Sequence, residues 1–412
     1  MTSVFSLLLN TLALGIRNLT RRKGRTALAL IAIASGVVAM LLSGGFIQWI
    51  YEAIRESTIH SQLGHIRIAR PGYAQQGSAD PFGYVIAGTP AELSVISRLP
   101  EVKVIAPRLS LGGLASHGET TVSILGEGLL PGSERDLSRT IHVLKGQPLD
   151  ESDPHGLILG EGLAEQLGAN IDDTVVLLAT TQNGGLNAVE GRVRGIFYSS
   201  VRAYDDVAVR MDLNLAKQLL RIDGAHRYLV LLSATDSTDS VLRSVRAILG
   251  TKLEASPWYD NADYYHKTVA LFSRQLLVME LIVGLIVLLT ITNSMVMSVL
   301  ERTHEIGTAL ALGTKRRQIR LQFVIEGLVL GIAGGLAGIG LGLLLGEIIS
   351  WIGIPMPPAP QMRHGFTGAI RITGSLSAFA LITVVSACFL ASIYPAWKAS
   401  KLDIVDALRH GK

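Results

Sequence analysis

Residues 26–50 read TALALIAIASGVVAMLLSGGFIQWI, twenty-five positions without a charged side chain. As helix, at 1.5 Å per residue, they reach roughly 37 Å. The bilayer core needs only ~20 apolar residues, so the stretch spans it with some tilt. Arg17, Arg21, Arg22, Lys23 and Arg25 precede it. A cleaved signal peptide would have an apolar run of about 7–15 residues ending in a small-x-small site. This run is longer and has no such ending, so it is predicted to stay as an anchor.

Working outward, Leu276–Leu300, Leu321–Ile349 and Leu376–Trp397 are three more such runs. The whole chain of 412 residues is 49% hydrophobic and only 17% charged, against about 25% charge in soluble proteins. Its single cysteine excludes an internal disulfide framework and a cysteine-rich zinc site. The net charge of +4 is unevenly placed. Residues 51–270 hold 20 Lys and Arg against 26 Asp and Glu, a net of −6, and the remainder holds 17 against 7, a net of +10. That basic excess sits beside the apolar runs, at Lys315, Arg316, Arg317 and Arg320 and at Lys398, Lys401, Arg409 and Lys412 as well as before residue 26. A nucleic-acid surface would carry its base on the folded domain. Base at alternate ends of spans is the positive-inside pattern.

The predicted architecture is therefore a multi-pass membrane protein. It has four transmembrane α-helices and a large α+β extracytoplasmic domain between the first and second. The segments are 1–25 inside, 26–50 spanning, 51–275 outside, 276–300 spanning, 301–320 inside, 321–349 spanning, 350–375 outside, 376–397 spanning and 398–412 inside. Phe5 to Leu19, with Leu8, Leu9, Leu12, Ile16 and Leu19 at helical spacing, predicts an amphipathic helix at the inner interface. Pro355 to Pro360 cannot be regular helix. In the outer domain, strands are expected at 102–106, 120–125, 157–159, 174–179, 192–197 and 228–232. Helices are expected at 90–99, at 161–167 ending near Gly168, and at 237–249.

The parts of an enzyme are missing from the sequence. There is no phosphate-binding Gly-x-x-x-x-Gly-Lys-Ser/Thr loop, no His-Glu-x-x-His and no Gly-x-Ser-x-Gly. His304-Glu305 lacks its second histidine. No catalytic or metal-ligating residue is assigned, and His60, His65, His117 and His142 are read as solvated surface. Glu280 and Glu347 are expected to be rim groups. Glu326 lies within or at the rim of a span, where a carboxylate is either functional or an interfacial cap. Cys388 is expected to be a packing residue.

Two patterns remain. Gly334, Gly338, Gly342 and Gly346 recur every four residues, a smooth stripe that lets another helix approach closely, either span two or four of the same chain or a helix that slides along it between states. Between spans two and three, Glu301, Arg302 and Glu305 begin a short segment that continues through Ile306, Gly307 and Leu310 to Gly313 and Lys315. It has an acidic start, an apolar stripe and a basic end, which suits a helix lying against a cytoplasmic partner.

The segment Glu301-Arg302-x-x-Glu305-Ile306-Gly307-x-x-x-Ala311-Leu312-Gly313, followed by Ile319, Phe323, Glu326 and the glycine-rich span, resembles the FtsX-like permease family. These are the membrane subunits of MacB-type ABC transporters. Tyr394-Pro395-Ala396-Trp397-Lys398-Ala399 through Ala407-Leu408-Arg409 resembles the family's closing motif, with Ile404 where proline is usual. Arg17-Asn18-Leu19 and Arg22-Lys23-x-Arg25-Thr26 resemble its opening.

The resemblance implies a bacterial inner-membrane location with both termini cytoplasmic. It further implies a homo- or heterodimer of permeases joined to two cytoplasmic ABC ATPase subunits, contact with membrane lipid, and a periplasmic carrier or adaptor as a further partner. ATP and magnesium would be held by the ATPase, with no cofactor bound directly by this chain. Glu301, Arg302, Glu305, Ile306, Gly307, Leu310, Gly313 and Lys315 would form the coupling element. The outer domain would have a middle insertion over 112–225. The unfused architecture and Leu63-Gly64-His65-Ile66-Arg67-Ile68 are similar to the lipoprotein-releasing LolC/LolE branch, which implies a lipoprotein or lipid-like cargo. The alternatives are a MacB-like tripartite exporter of peptides or small amphiphiles, and an FtsX-like transmitter that activates a periplasmic enzyme.

Overall fold

The apolar run at 26–50 lies within a longer helix, Lys23–Thr58, and the second run within Asp263–Glu301. Both helices continue into polar sequence, where Glu, Ala, Arg and Lys keep helix propensity high after hydropathy has fallen. The other two long apolar helices are Arg316–Ile352 and Gly374–Ser400. All four are long and apolar enough to cross a membrane. The computed structural model describes residues 23–77, 79–199, 201–358 and 363–404. The amphipathic helix read over 5–19 and the closing motif beyond Ile404 lie outside the described residues. The chain divides into two units. One comprises the chain up to Tyr51, Val269–Pro355 and the chain from Thr367; the other comprises Glu52–Thr268 with Met356–Phe366.

In the first unit the four long helices share one core, including Ile33, Val37 and Leu41 from the first, Val287, Ile291 and Met295 from the second, Phe323 and Leu330 from the third and Val384 and Cys388 from the fourth. The third helix is placed by its glycines. A methyl group at Gly334, Gly338 or Gly342 would stand 2.7 Å from Ile33, Val37 or Leu41 of the first helix. One at Gly327, Gly331 or Gly335 would stand 2.6–3.0 Å from Ser392, Cys388 or Leu381 of the fourth. The smooth stripe therefore packs against a helix of its own chain, and its fourth member, Gly346, faces Ile372 instead. With no hydrophobic drive between helices in lipid, this close approach is what lets dispersion hold them together.

The second unit is built on a ten-stranded mixed sheet. Its strands are β1 (Ile66–Ala69), β2 (Val102–His117), β3 (Thr120–Leu129), β4 (His142–Gly146), β5 (Gly156–Gly160), β6 (Thr174–Thr180), β7 (Leu186–Tyr198), β8 (Ala208–Asp212), β9 (Arg227–Leu232) and β10 (Glu254–Pro257). They run in the order β10-β1-β9-β2-β3-β8-β5-β7-β4, and β6 bridges β2 and β7, closing six strands into a ring. Strands read as short in the sequence, such as 102–106, extend well beyond the expected ends because β2 serves two lobes. Helices α1 (Ala91–Ile96), α2 (Pro131–Leu137), α3 (Glu161–Leu167), α4 (Leu213–Leu220) and α5 (Thr238–Leu249) cover it. As expected, α3 stops at Gly168, which takes φ 64°, a left-handed conformation that costs other residues.

The two larger hydrophobic cores among the described residues of this unit divide the sheet. One runs from Leu109 to Ile222 and fills the ring with Leu157, Leu159, Leu177, Val193 and Met211. The other joins Ile66, Ile68, Val230, Val241 and Val245 from the flanking chain. Where β2, β3, β8 and β9 meet, a buried charge network replaces apolar packing. Glu127 accepts from Arg227 at 2.7 Å and from Arg210 at 3.2 Å, and lies 3.6 Å from Arg108. Glu134 pairs with Arg108 at 2.5 Å and Arg210 at 3.3 Å. Arg210 also donates to Ser138, Tyr204 and the Ser61 carbonyl.

His65 departs from the solvated reading. It is only 2% exposed, its Nδ1 accepts from the Leu232 amide at 3.1 Å, and its Nε2 lies 3.1 Å from Thr235 Oγ1. Burial, with His60 nearby, pushes its pKa down to about 4, so the ring is neutral and serves as a structural hydrogen-bonding bridge. His60 is half-buried against the Asp136 carbonyl, and His117 reaches the Leu167 carbonyl at 3.2 Å. His142 is exposed as expected.

Candidate functional site

The segment between the second and third long helices is a turn, a short helix and a reversal. Arg302, at φ −107° and ψ 14°, breaks the run of helix after Glu301, and Thr303–Ala311 forms a new one. The Thr303 hydroxyl donates to the Leu300 carbonyl at 2.8 Å, which competes with straight continuation of the backbone ladder. The helix ends where Gly313, at φ 91°, turns the chain back, with its amide on the Leu310 carbonyl and the Thr314 amide on that of Ala309. Only glycine adopts this conformation without strain. Lys315 then caps the third long helix: its backbone amide donates to Gln318 Oε1 at 3.1 Å, and the Gln318 amide returns to the Lys315 carbonyl at 2.8 Å.

The two faces of the short helix differ. Ile306, Gly307 and Leu310 are buried, and Ile306 and Leu310 belong to the core that joins the four long helices. These three residues, which the sequence places in a partner-facing stripe, instead seat the helix on its own bundle. His304, Glu305, Thr308, Ala311, Leu312 and Gly313 are exposed, Leu312 at 83%. Glu301 and Lys315 are exposed at the two ends.

Arg302 ties the segment down. Its guanidinium lies 3.4 Å from Glu326 and 3.3 Å from Glu305, and it stands 5.8 Å over the ring of Phe323. Glu326 is 4% exposed. It is therefore the buried half of an ion pair between the turn and the third long helix, stronger than an exposed pair because the site is largely dry. Sequence reasoning singles out both residues without joining them. The 24-residue separation carries no pattern, and only the reversal at Gly313 brings them together.

The cations at the start of the third helix need a separate explanation. Lys315, Arg316, Arg317 and Arg320 are exposed around its N-terminus, where the helix dipole disfavours positive charge, and there is no acidic residue in the first turn. Helix stability is thus not what places them. The α+β unit holds a cleft of about 620 Å³ whose lining includes Leu129, Pro131, Ile141, Leu149, Arg194 and Arg210. Arg194 is already paired with Asp150 and Asp153, and Arg210 with Glu127 and Glu134.

Residues 26–248 match the family model of the MacB-like periplasmic core domain, and residues 277–404 that of the FtsX-like permease C-terminal domain. The chain belongs to the FtsX/MacB-type family of ABC transporter permeases. It is 23% identical to the lipoprotein-releasing system transmembrane protein LolC of Xylella fastidiosa, over 97% of this chain and 98% of that one. It is 35% identical to the macrolide export ATP-binding/permease protein MacB of Bdellovibrio bacteriovorus over 149 residues, 35% of this chain and 20% of that one. The periplasmic region of MacB from Actinobacillus actinomycetemcomitans aligns with 52% of this chain and 96% of its own at 13% identity, with a TM-score of 0.37. The four apolar helices are accordingly those of an inner-membrane permease, and the α+β unit is its periplasmic domain.

Proposed function

We propose that this chain converts ATP hydrolysis in a separate cytoplasmic ATPase into movement on the periplasmic side of the inner membrane. Its cargo is a lipoprotein or another lipid-anchored molecule, extracted from the outer leaflet. The cationic residues of Lys315–Arg320 support a cytoplasmic position for the short helix, and with it for both termini. Two permeases, identical or different, work with two ATPases, and ATP and magnesium are held by the ATPase rather than by this chain. The permease itself performs no chemistry, and a periplasmic carrier receives the cargo.

The observation that carries this reading is the anchoring of Thr303–Ala311. A helix fixed by a buried ion pair and an apolar face cannot yield locally when pushed, so force on its exposed Glu305 and Leu312 passes into the second and third spans. The LolC likeness along nearly the whole chain supports the lipid-anchored cargo. A MacB-like role in exporting peptides or amphiphiles is the second reading, favoured by the higher identity of the shorter MacB match.

The test is Glu305→Lys in permease co-expressed with its ATPase. Glu305 is exposed, so the variant inserts normally. We expect ATP-dependent release of a lipoprotein from proteoliposomes to fall about tenfold or more while ATP hydrolysis persists. Full release activity would remove the coupling assignment. Release of peptide but not of lipoprotein by the unaltered complex would select the second reading.

A further inference from the structure

The loop between the third and fourth spans carries adjacent basic and aromatic-basic residues, Arg363 and His364, that positive-inside topology does not call for. Arg363 Nη1 donates to Glu165 Oε2 at 2.7 Å, and its Nη2 donates to Asp206 Oδ1 at 2.8 Å. The His364 Nε2 lies 2.9 Å from Glu161 Oε2, and the ring packs 4.1 Å from that of Tyr198. Glu161 and Glu165 are one turn apart on α3, Asp206 precedes β8, and Tyr198 ends β7. All four belong to the lobe built around the Leu109–Ile222 core, far from residue 363 in sequence.

The α3 helix is shaped for this contact. Gly162 is its second residue, and a Cβ there would collide with Asp206 Oδ1 and stand 2.6 Å from Arg363 Nη2. Glycine is otherwise a poor choice inside a helix. Its presence leaves the space in which the guanidinium and the Asp206 carboxylate meet. Two carboxylates gripping one planar fork also fix direction as well as proximity.

We propose that Arg363 and His364 form a clasp that holds the loop between spans three and four on the inserted lobe of the periplasmic domain. Movement of those two spans is then passed to that lobe through the clasp, as well as through the helices that lead out of spans one and two. The motion itself rests on the function proposed above; the clasp rests on geometry alone.

The test is hydrogen-exchange mass spectrometry of the full chain with its ATPase in lipid nanodiscs, reading peptides that cover 161–168 and 363–368. Without nucleotide, Arg363→Ala should raise exchange in both peptides by about threefold to tenfold, the scale of a partly exposed pair. Gly162→Ala should do the same by crowding the guanidinium, although alanine is the better helix former and would slow exchange in α3 if only helix stability mattered. On trapping with ATP and vanadate, exchange in 161–168 should change in the unaltered protein and not in either variant, with hydrolysis retained. Unchanged exchange in both variants, or a nucleotide response of 161–168 that survives them, would overturn the clasp. Should no ATPase associate, the coupling function is what fails, and the nucleotide-free comparison still decides the clasp.

Discussion

Glu127→Ala should destabilise the periplasmic domain by about 3–5 kcal/mol, the cost of stranding buried charge. Glu127 is 7% exposed, and Arg108 and Arg210 are each 1% exposed. Burial alone would raise the carboxyl pKa, yet Arg108, Arg210 and Arg227 together hold it below its ordinary value. Removing it leaves Arg108 and Arg210 to share Glu134, and leaves Arg227 with the Tyr73 hydroxyl. A domain typically has only about 5–15 kcal/mol in hand, so the variant sits near the edge of folding. Pulse proteolysis in urea, on the full chain in membranes, reads the loss; a shift below about 1 kcal/mol would contradict the role given to the network. The pH dependence has a definite sign. Because the folded pKa is depressed, the contribution is present above the unfolded value near 4.5 and is lost as pH falls through the folded one. Acid should therefore weaken the unaltered domain more than it weakens the Glu127→Ala variant.

Breaking the Arg302–Glu326 pair is the second large effect. Glu326→Ala leaves a guanidinium with 14% of its side chain exposed, resting on Phe323 and holding only the exposed Glu305. The turn at Arg302 then loses its attachment to span three, and the short helix can tilt without moving that span. We expect ATP-dependent cargo release to fall more than tenfold, with the protein still inserted and ATP still hydrolysed. Arg302→Ala should do the same. Since both variants remove the shared pair, the double variant should be little worse than Arg302→Ala, which also gives up Glu305 and Phe323, and a double-mutant cycle of release rates measures this. Independent, additive losses would show that the two residues act separately.

Much of this architecture is legible because the bilayer imposes a length and a charge rule on sequence. The four spans follow from runs of about 20 apolar residues, and the short strands and helices of the periplasmic domain from local alternation and from stops such as Gly168. Tertiary pairings are not legible. Arg108, Glu127, Glu134, Arg210 and Arg227 are scattered through more than a hundred positions. Only register unites them, setting Arg210 of β8 beside Glu127 of β3 and Arg227 of β9 beside Arg108 of β2.

The candidate site shows the same limit. Helical periodicity marks Ile306 and Leu310 as one apolar face, but does not say whether that face meets a partner or the chain's own bundle. The four-residue glycine spacing likewise announces a close helix neighbour without identifying it as span one. His65 escapes sequence reasoning because a lone histidine after a glycine gives no sign of the Leu232 amide and Thr235 hydroxyl that bury it. Arg363 stands out only as a basic residue in an outer loop. Its partners lie 157 and 198 residues away.

The most direct measurement of the central claim is mass spectrometry of what co-purifies with a tagged copy of this protein from native membranes. The account predicts an ABC ATPase in stoichiometric amount, together with a permease partner and a lipoprotein or a periplasmic lipid carrier. An ATPase accompanied by an adaptor and an outer-membrane channel would contradict the assigned cargo and select export. Recovery with no ATPase would contradict the mechanism itself.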